Sequence, residues 1–340
     1  MRWERRNHRP DRGGPHRRAK PVQLEQELFG TRFQNPVLLA SGTCGFGREL
    51  AGVVELDRLG GLVTKSVTLE PRAGNPRPRV SEGAGLMVNS IGLANPGVER
   101  VKAEKLPWLA SRLRRAQVFV SVAGHAVDDY CEIVEHLEPE GGFLGFELNL
   151  SCPNVPLGGV PFALDTGMLA KVVGRVRGIT ARPLLVKLAP NSPDVGAAAE
   201  AAVAAGGDGV TLVNTMPGMV IDPETRRPRL GAGGGGLSGP ALLPVGVHAV
   251  WQASRRVRAP LVGVGGVRGH RDCLQYLLAG ASLVQVGTAT FADPRSAERV
   301  VHGLSAYGRR RNIGAVAELV GAVRSPEGPV PYARREACVL

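Results

Sequence analysis

Aromatic residues are scarce in this chain, 4% of 340 residues with only three tryptophans. A core with so few rings must be filled by aliphatic side chains, and 46 glycines add tight turns, which together suit an α/β protein. Paired cysteines are missing too. Cys44, Cys131, Cys152, Cys273 and Cys338 are odd in number and scattered, with no Cys-x-x-Cys spacing. That argues against a disulfide scaffold, a metal site or an iron–sulfur cluster held by this chain alone, and reduced thiols in a cytoplasmic protein are expected. No segment reaches the roughly 18–20 uninterrupted apolar residues of a membrane span, so no membrane association is expected. Acidic charge is in the minority, 30 Asp and Glu against 42 Lys and Arg, for a net charge of +12. Residues 1–20 hold eight basic and two acidic side chains. They lack interleaved aromatics beyond Trp3 and have no apolar run behind them. A solvated, disordered tail is therefore expected there, not a secretory signal, a membrane anchor or a nucleic-acid-binding arm.

From residue 35 onward, short apolar runs alternate with longer amphipathic stretches. Strands are expected at 37–40, 62–65, 118–122, 145–150, 184–188, 209–214, 261–265 and 283–287. Helices are expected at 48–59, 128–137, 194–205, 240–257 and 268–279. Gly60-Gly61, Gly206-Gly207 and Gly280 would serve as left-handed caps before the next strand. About eight strand–helix repeats in roughly 250 residues is the pattern of a (β/α)8 TIM barrel. An open doubly wound sheet competes less well, because Gly45-Phe46-Gly47-Arg48-Glu49-Leu50 lacks the third glycine of a dinucleotide loop. No domain-scale linker interrupts the pattern. Residues 21–323 read as one barrel between the basic tail 1–20 and a C-terminal tail 324–340. The intervals 66–98 and 215–238 are too long for simple connections, and long loops over the C-terminal face of a barrel build or cover its active site.

Polar residues at the C-terminal strand ends converge on one mouth in such a fold. Here they are Thr43, Lys65-Ser66, Asn149 with Cys152, Lys187, and Asn214-Thr215. Two lysines inside apolar strands point to a ligand, because a buried ammonium needs a compensating acceptor. The seventh and eighth strands end in Gly265-Gly266 and Gly287-Thr288, small residues that let backbone N–H groups approach a phosphate. One phosphate facing lysines and amides across the mouth suits a flavin mononucleotide better than a dinucleotide. In Asn149-Leu150-Ser151-Cys152-Pro153-Asn154 a thiol follows a strand between two amides. It can act as a nucleophile or as a proton-transfer base, the alternative being a structural cysteine in a turn.

Taken together, these segments resemble the class 1 dihydroorotate dehydrogenases. The resemblance runs from about Asn35 to Val323. It rests on Ala40-Ser41-Gly42-Thr43, Thr64-Lys65-Ser66, Asn89-Ser90-Ile91-Gly92-Leu93 with Asn95-Pro96-Gly97, and the Cys152 segment. It continues through Val186-Lys187-Leu188, Asn214-Thr215, Gly235-Gly236-Leu237-Ser238-Gly239-Pro240-Ala241, Gly265-Gly266 and Gly287-Thr288. The resemblance implies an FMN barrel that oxidises dihydroorotate to orotate in pyrimidine biosynthesis. It implies Cys152 as the base that takes the C5 proton while hydride passes from C6 to flavin N5. It assigns substrate binding to Lys65, Asn89, Ser90, Ile91, Gly92, Leu93, Asn149, Asn214 and Thr215, with Asn154 a further candidate. It assigns FMN binding to Thr43, Lys65, Ser66, Asn149, Lys187, Val213, Gly239, Gly265, Gly266, Gly287 and Thr288. Ser121 stands where the family has an asparagine that contacts flavin. No metal is implied. Asn154-Val155-Pro156-Leu157-Gly158-Gly159 looks like the NAD-linked subclass 1B. That subclass implies a homodimer within a heterotetramer, paired with a subunit that carries FAD and a [2Fe–2S] cluster. A fumarate-using subclass 1A enzyme and a related FMN barrel acting on another dihydropyrimidine are the alternatives.

Overall fold

The eight apolar runs become eight parallel strands. A computed structural model describes residues 22–150, 165–325 and 328–329. Its barrel strands are β1 (Val37–Leu39), β2 (Gly61–Val63), β3 (Gln117–Val122), β4 (Gly145–Asn149), β5 (Leu184–Leu188), β6 (Gly209–Leu212), β7 (Leu261–Val264) and β8 (Leu283–Val286). Each pairs in parallel with its neighbour in the chain, and β8 pairs with β1, so the sheet closes on itself. The expected (β/α)8 barrel is the observed fold.

Side chains along a barrel strand alternate between the interior and the helix layer. The inward series here is apolar at the bottom. Leu38, Val63, Phe119, Leu185, Val262 and Leu283 form one buried cluster with Leu28 and Phe33. The last two come from an antiparallel hairpin, Gln26–Leu28 with Thr31–Phe33, that closes the lower end. Phe33 stacks on Phe119 with ring centres 6.5 Å apart, and Phe29 meets both rings edge-on. Three aromatic rings thus meet at the lower end of the barrel. Two residues above this layer come Ser121, Lys187 and Gln285 on the same strands and Lys65 just past the end of β2, so the alternation itself puts polar groups at the opposite end.

The outward faces pack on helices that include Val127–Leu137, Thr166–Arg177, Val195–Ala204, Leu243–Ser254, His270–Ala279 and Ser296–Arg311. Tyr130, Cys131, Ile133, Val134 and Leu137 are the buried stripe of the first, at helical spacing. Gly206 and Gly280 have the positive φ expected of caps, 106° and 122°. Gly60-Gly61 is not a cap. An added Cβ at Gly60 or Gly61 would run into the carbonyl of Asn35 or of Gln117, so close backbone approach explains this pair.

The expected helix 48–59 does not form. Successive turns and a single 3-10 turn, Leu56–Arg58, replace it. Gly45 and Gly47 adopt positive φ, and the Glu49 carboxylate accepts from the Phe46 N–H at 3.0 Å, which fixes a turn where a helix would start. Gly52 and the β-branched pair Val53-Val54 then oppose helix propagation.

Both long intervals fold over the C-terminal face as one antiparallel sheet. Val80–Gly83 and Leu86–Asn89 come from the first, and Met216–Gly218 and Gly235–Ser238 from the second. Leu86–Asn89 pairs with Gly235–Ser238, which joins the two excursions. Within the segment expected as a C-terminal tail, Arg324–Ser325 pairs with Gly328–Pro329. Among the described residues no helix is long and apolar enough to cross a membrane.

Candidate active site

Four strand ends are tied by one chain of side-chain hydrogen bonds. The Ser121 hydroxyl on β3 lies 2.9 Å from that of Ser66, which follows β2. The Asn149 amide at the end of β4 donates to Ser66 at 3.2 Å and accepts from the Asn214 amide at 2.9 Å. Asn214 in turn accepts from the Thr215 N–H at 2.8 Å. Each amide thus acts as both donor and acceptor, which fixes its orientation. Tyr130, fully buried, donates to the Asn149 carbonyl at 2.9 Å and holds this strand end from the helix side.

The cap sheet continues the chain. The Asn89 amide donates to the Gly236 carbonyl at 3.2 Å, and Gly236 lies against the Thr215 side chain, where any Cβ would collide. Asn89, Asn149, Asn214 and Thr215, all expected at the substrate site, are therefore contiguous. Ser90, Ile91, Gly92 and Leu93 spend much of their polarity within the loop. Ser90 accepts from the Asn75 amide at 2.7 Å, the Ile91 carbonyl accepts from Asn75 N–H, and the Gly92 carbonyl accepts from Arg72. Gly92 and Leu93 are consecutive left-handed residues, with φ of 70° and 56°. Asn95, 9% exposed, pins this loop: its amide donates to Thr68 and to the Leu93 carbonyl while its oxygen accepts from the Thr68 and Gly97 N–H groups.

Beneath the mouth lies a buried charged cluster. Lys187 on β5 faces the Glu147 carboxylate on β4 at 3.4 Å. The other carboxylate oxygen accepts from Thr211 at 3.0 Å and from Gln285 at 2.9 Å. Glu147, Thr211 and Gln285 have no exposed surface and Lys187 is 6% exposed. A lone buried carboxylate would cost several kcal/mol, and three donors from three strands offset that cost. Lys65, the other expected lysine, is half-buried after β2, its N–H donating to the Gly45 carbonyl at 2.7 Å.

Opposite these groups the chain narrows to backbone. Gly239, Gly265 and Gly266 all have positive φ, and Gly266 lies so close to Leu243 that no side chain fits there. Gly287 runs beside Ala40 and Thr43, and Thr288 precedes the short helix Ala289–Ala292. Thr43 donates to the Ala40 carbonyl at 3.0 Å, and Val213 is buried with its N–H on the Val264 carbonyl. The Gly265 turn is tied down by Tyr276, whose hydroxyl donates to its carbonyl at 2.8 Å. Among the described residues no group of His, Cys, Asp and Glu is placed to hold a metal ion. Cys152 and Asn154 lie outside the described residues.

Sequence reading missed Glu147, Thr211 and Gln285. Their signal was present: each is a polar residue inside an apolar strand, in phase with an inward neighbour. It also missed Asn95 as the loop's anchor, although Asn95-Pro96-Gly97 is a turn motif.

A family model described as dihydroorotate dehydrogenase matches residues 23–307. The dihydroorotate dehydrogenase B (NAD(+)) catalytic subunit of Geotalea daltonii is 44% identical over 306 residues, 90% of this chain and 99% of that protein. The protein of the same name from Desulforudis audaxviator is 47% identical over 307 residues, again 90% and 99%. A relative from Solibacter usitatus, provisionally named dihydroorotate dehydrogenase A (fumarate), is 46% identical over 302 residues, 89% of this chain and 99% of its own. Among solved structures, DHODH from Eimeria tenella in complex with ferulenol superposes with a TM-score of 0.74 at 23% identity, covering 90% of each chain, a likeness of fold.

Proposed function

The chain belongs to the dihydroorotate dehydrogenase family, and on that premise we propose that it oxidises dihydroorotate to orotate in pyrimidine biosynthesis, with FMN as cofactor and Cys152 as base. The observation that carries this reading is the continuous polar chain Ser121–Ser66–Asn149–Asn214 facing the glycine turns across one barrel mouth. Its donor set suits FMN. Ammonium, hydroxyl and amide donors match the carbonyl-bearing edge of a flavin ring, and the glycine turns at Gly239 and Gly265-Gly266, with Gly287-Thr288 beside them, suit a phosphate. Lys65, Ser66, Asn149 and Lys187 would hold the ring. When bound, FMN supplies the hydride acceptor.

The protein's own residues do the remaining work. Asn89, Asn149, Asn214 and Thr215 hold a planar, polar substrate, with Asn149 and Asn214 oriented by their mutual hydrogen bond and Asn89 by the Gly236 carbonyl. Cys152 takes the proton from C5 as hydride leaves C6, so a carbon–carbon double bond forms without a covalent enzyme adduct. A free thiol, with a pKa of about 8.5, is mostly protonated at neutral pH, so the thiol must be depressed or enclosed to work well.

Electrons pass to NAD through a separate subunit carrying FAD and a [2Fe–2S] cluster, with two copies of each subunit. The names of several relatives, catalytic subunits of an NAD(+) enzyme, support NAD as acceptor and a separate partner subunit, and the Solibacter relative supports fumarate as the second reading.

The visible spectrum of the purified chain tests the cofactor. A yellow protein bleached anaerobically by dihydroorotate is expected. A colourless chain that FMN cannot reconstitute would defeat the proposal. NAD-dependent turnover only with a co-purifying flavin–iron–sulfur partner is expected for the acceptor, and robust fumarate reduction by the chain alone would reverse that assignment.

A further inference from the structure

Glu147 has no part in the proton and hydride transfers, yet it lies fully buried two residues before Asn149 on β4. Its carboxylate collects donors from β5, β6 and β8, and only Lys187 among them is charged. The two neutral donors, Thr211 and Gln285, share one oxygen at 3.0 and 2.9 Å, while Lys187 reaches the other at 3.4 Å. A lysine presents three N–H donors, so this single long contact leaves others for a ligand. Lys187 is directly opposite Asn149 in the β4–β5 register, which places it at the level of the mouth.

We propose that Glu147 is a positioning residue for the flavin: it fixes the Lys187 ammonium at the barrel mouth and offsets part of its charge. The bound FMN consequently has a lower reduction potential than Lys187 alone would give it. A cation near the ring favours the reduced, more negative form, and in a low-dielectric interior an anion within 4 Å of that cation cancels much of its field. This inference rests on the FMN reading above.

The side chain of Gln285 makes the decisive variant feasible. Its amide oxygen has no hydrogen-bond partner among the described residues. Turning that amide over would present the oxygen to the new NH2 group of Glu147→Gln, so the isosteric variant can be accommodated. The test is the midpoint potential of FMN in the full-length chain, measured by dye equilibration. Glu147→Gln is expected to shift the reduced-to-oxidised equilibrium at least tenfold toward reduced flavin, about 30 mV for a two-electron couple. Glu147→Asp keeps a charge one methylene further from Lys187 and is expected to fall between wild type and Glu147→Gln. If Glu147→Gln does not fold, the upward shift in Glu147→Asp decides alone. An unchanged or lowered potential in a folded, yellow variant would overturn the role of Glu147 while leaving the FMN reading intact. A wild-type chain that takes up no FMN would overturn both.

Discussion

Asp57 illustrates how much structure one carboxylate organises. One of its oxygens accepts the N–H groups of Arg114, Arg115 and Ala116 at 2.9, 2.7 and 2.9 Å, just before β3. Burial pushes this carboxyl upward, but the three backbone donors, helped by the Arg115 charge, prevail and hold it below the usual carboxylate range. A depressed carboxyl contributes stability above its unfolded value, and that contribution is lost as pH falls through the lowered folded value. Asp57→Asn is therefore expected to be less stable than wild type at about pH 7, with the gap narrowing as pH falls below about 4, as urea unfolding at neutral and acid pH would show. The thiols divide differently. Burial, with Glu49 adding to it, pushes Cys44 up to about 12, and burial likewise raises Cys131 and Cys273. None of these three is a useful thiolate at neutral pH, and Cys152, the proposed base, is not among them. Cys152→Ala is expected to slow anaerobic flavin reduction by roughly 10²–10⁴-fold. Cys152→Ser should retain measurable reduction only at raised pH, because a serine hydroxyl is the weaker acid.

At the scale of elements, the helix His270–Ala279 connects core packing to the glycine turns. Its Tyr276 ring fills the space left by Gly246 and Gly263, where a Cβ would strike it, and its hydroxyl holds the Gly265 carbonyl. Burial pushes that phenol upward, so it stays a donor. Tyr276→Phe is expected to lose about 1–3 kcal/mol of stability by thermal or urea unfolding, because the carbonyl loses its partner. FMN affinity, read by fluorescence titration, should fall several-fold as the turn loosens. The cap sheet is the other element-scale feature. That residues 66–98 and 215–238 cover the mouth was legible from their length. Their union in one sheet was not, because Asn89 and Gly236 are 147 residues apart and neither segment has a strong strand pattern. The absent helix at 48–59 failed for the opposite reason: local turn chemistry at Gly45, Gly47 and Glu49 overrode an amphipathic pattern.

For the molecule as a whole, the basic tail stands apart from the barrel in composition. Deleting residues 1–20 is expected to leave FMN content and dihydroorotate-dependent flavin bleaching unchanged while reducing salt-sensitive retention on a polyanion column. The architecture itself was legible early. Eight apolar runs with helical stretches between most of them have few ways to bury both faces of a parallel sheet, so local periodicity determined the barrel and which strand ends share its mouth. Asn149, Asn214, Lys65 and Lys187 could be named for the same reason, as polar residues where apolar strands stop. What only the tertiary structure decided is which of these groups touch. The bonds from Ser66 to Ser121, from Asn149 to Asn214, and from Glu147 to Lys187, Thr211 and Gln285 join residues 40 to 138 positions apart. Such contacts depend on closure of the barrel and on the inward phase of each strand, and no local pattern in the chain encodes a distance across the interior.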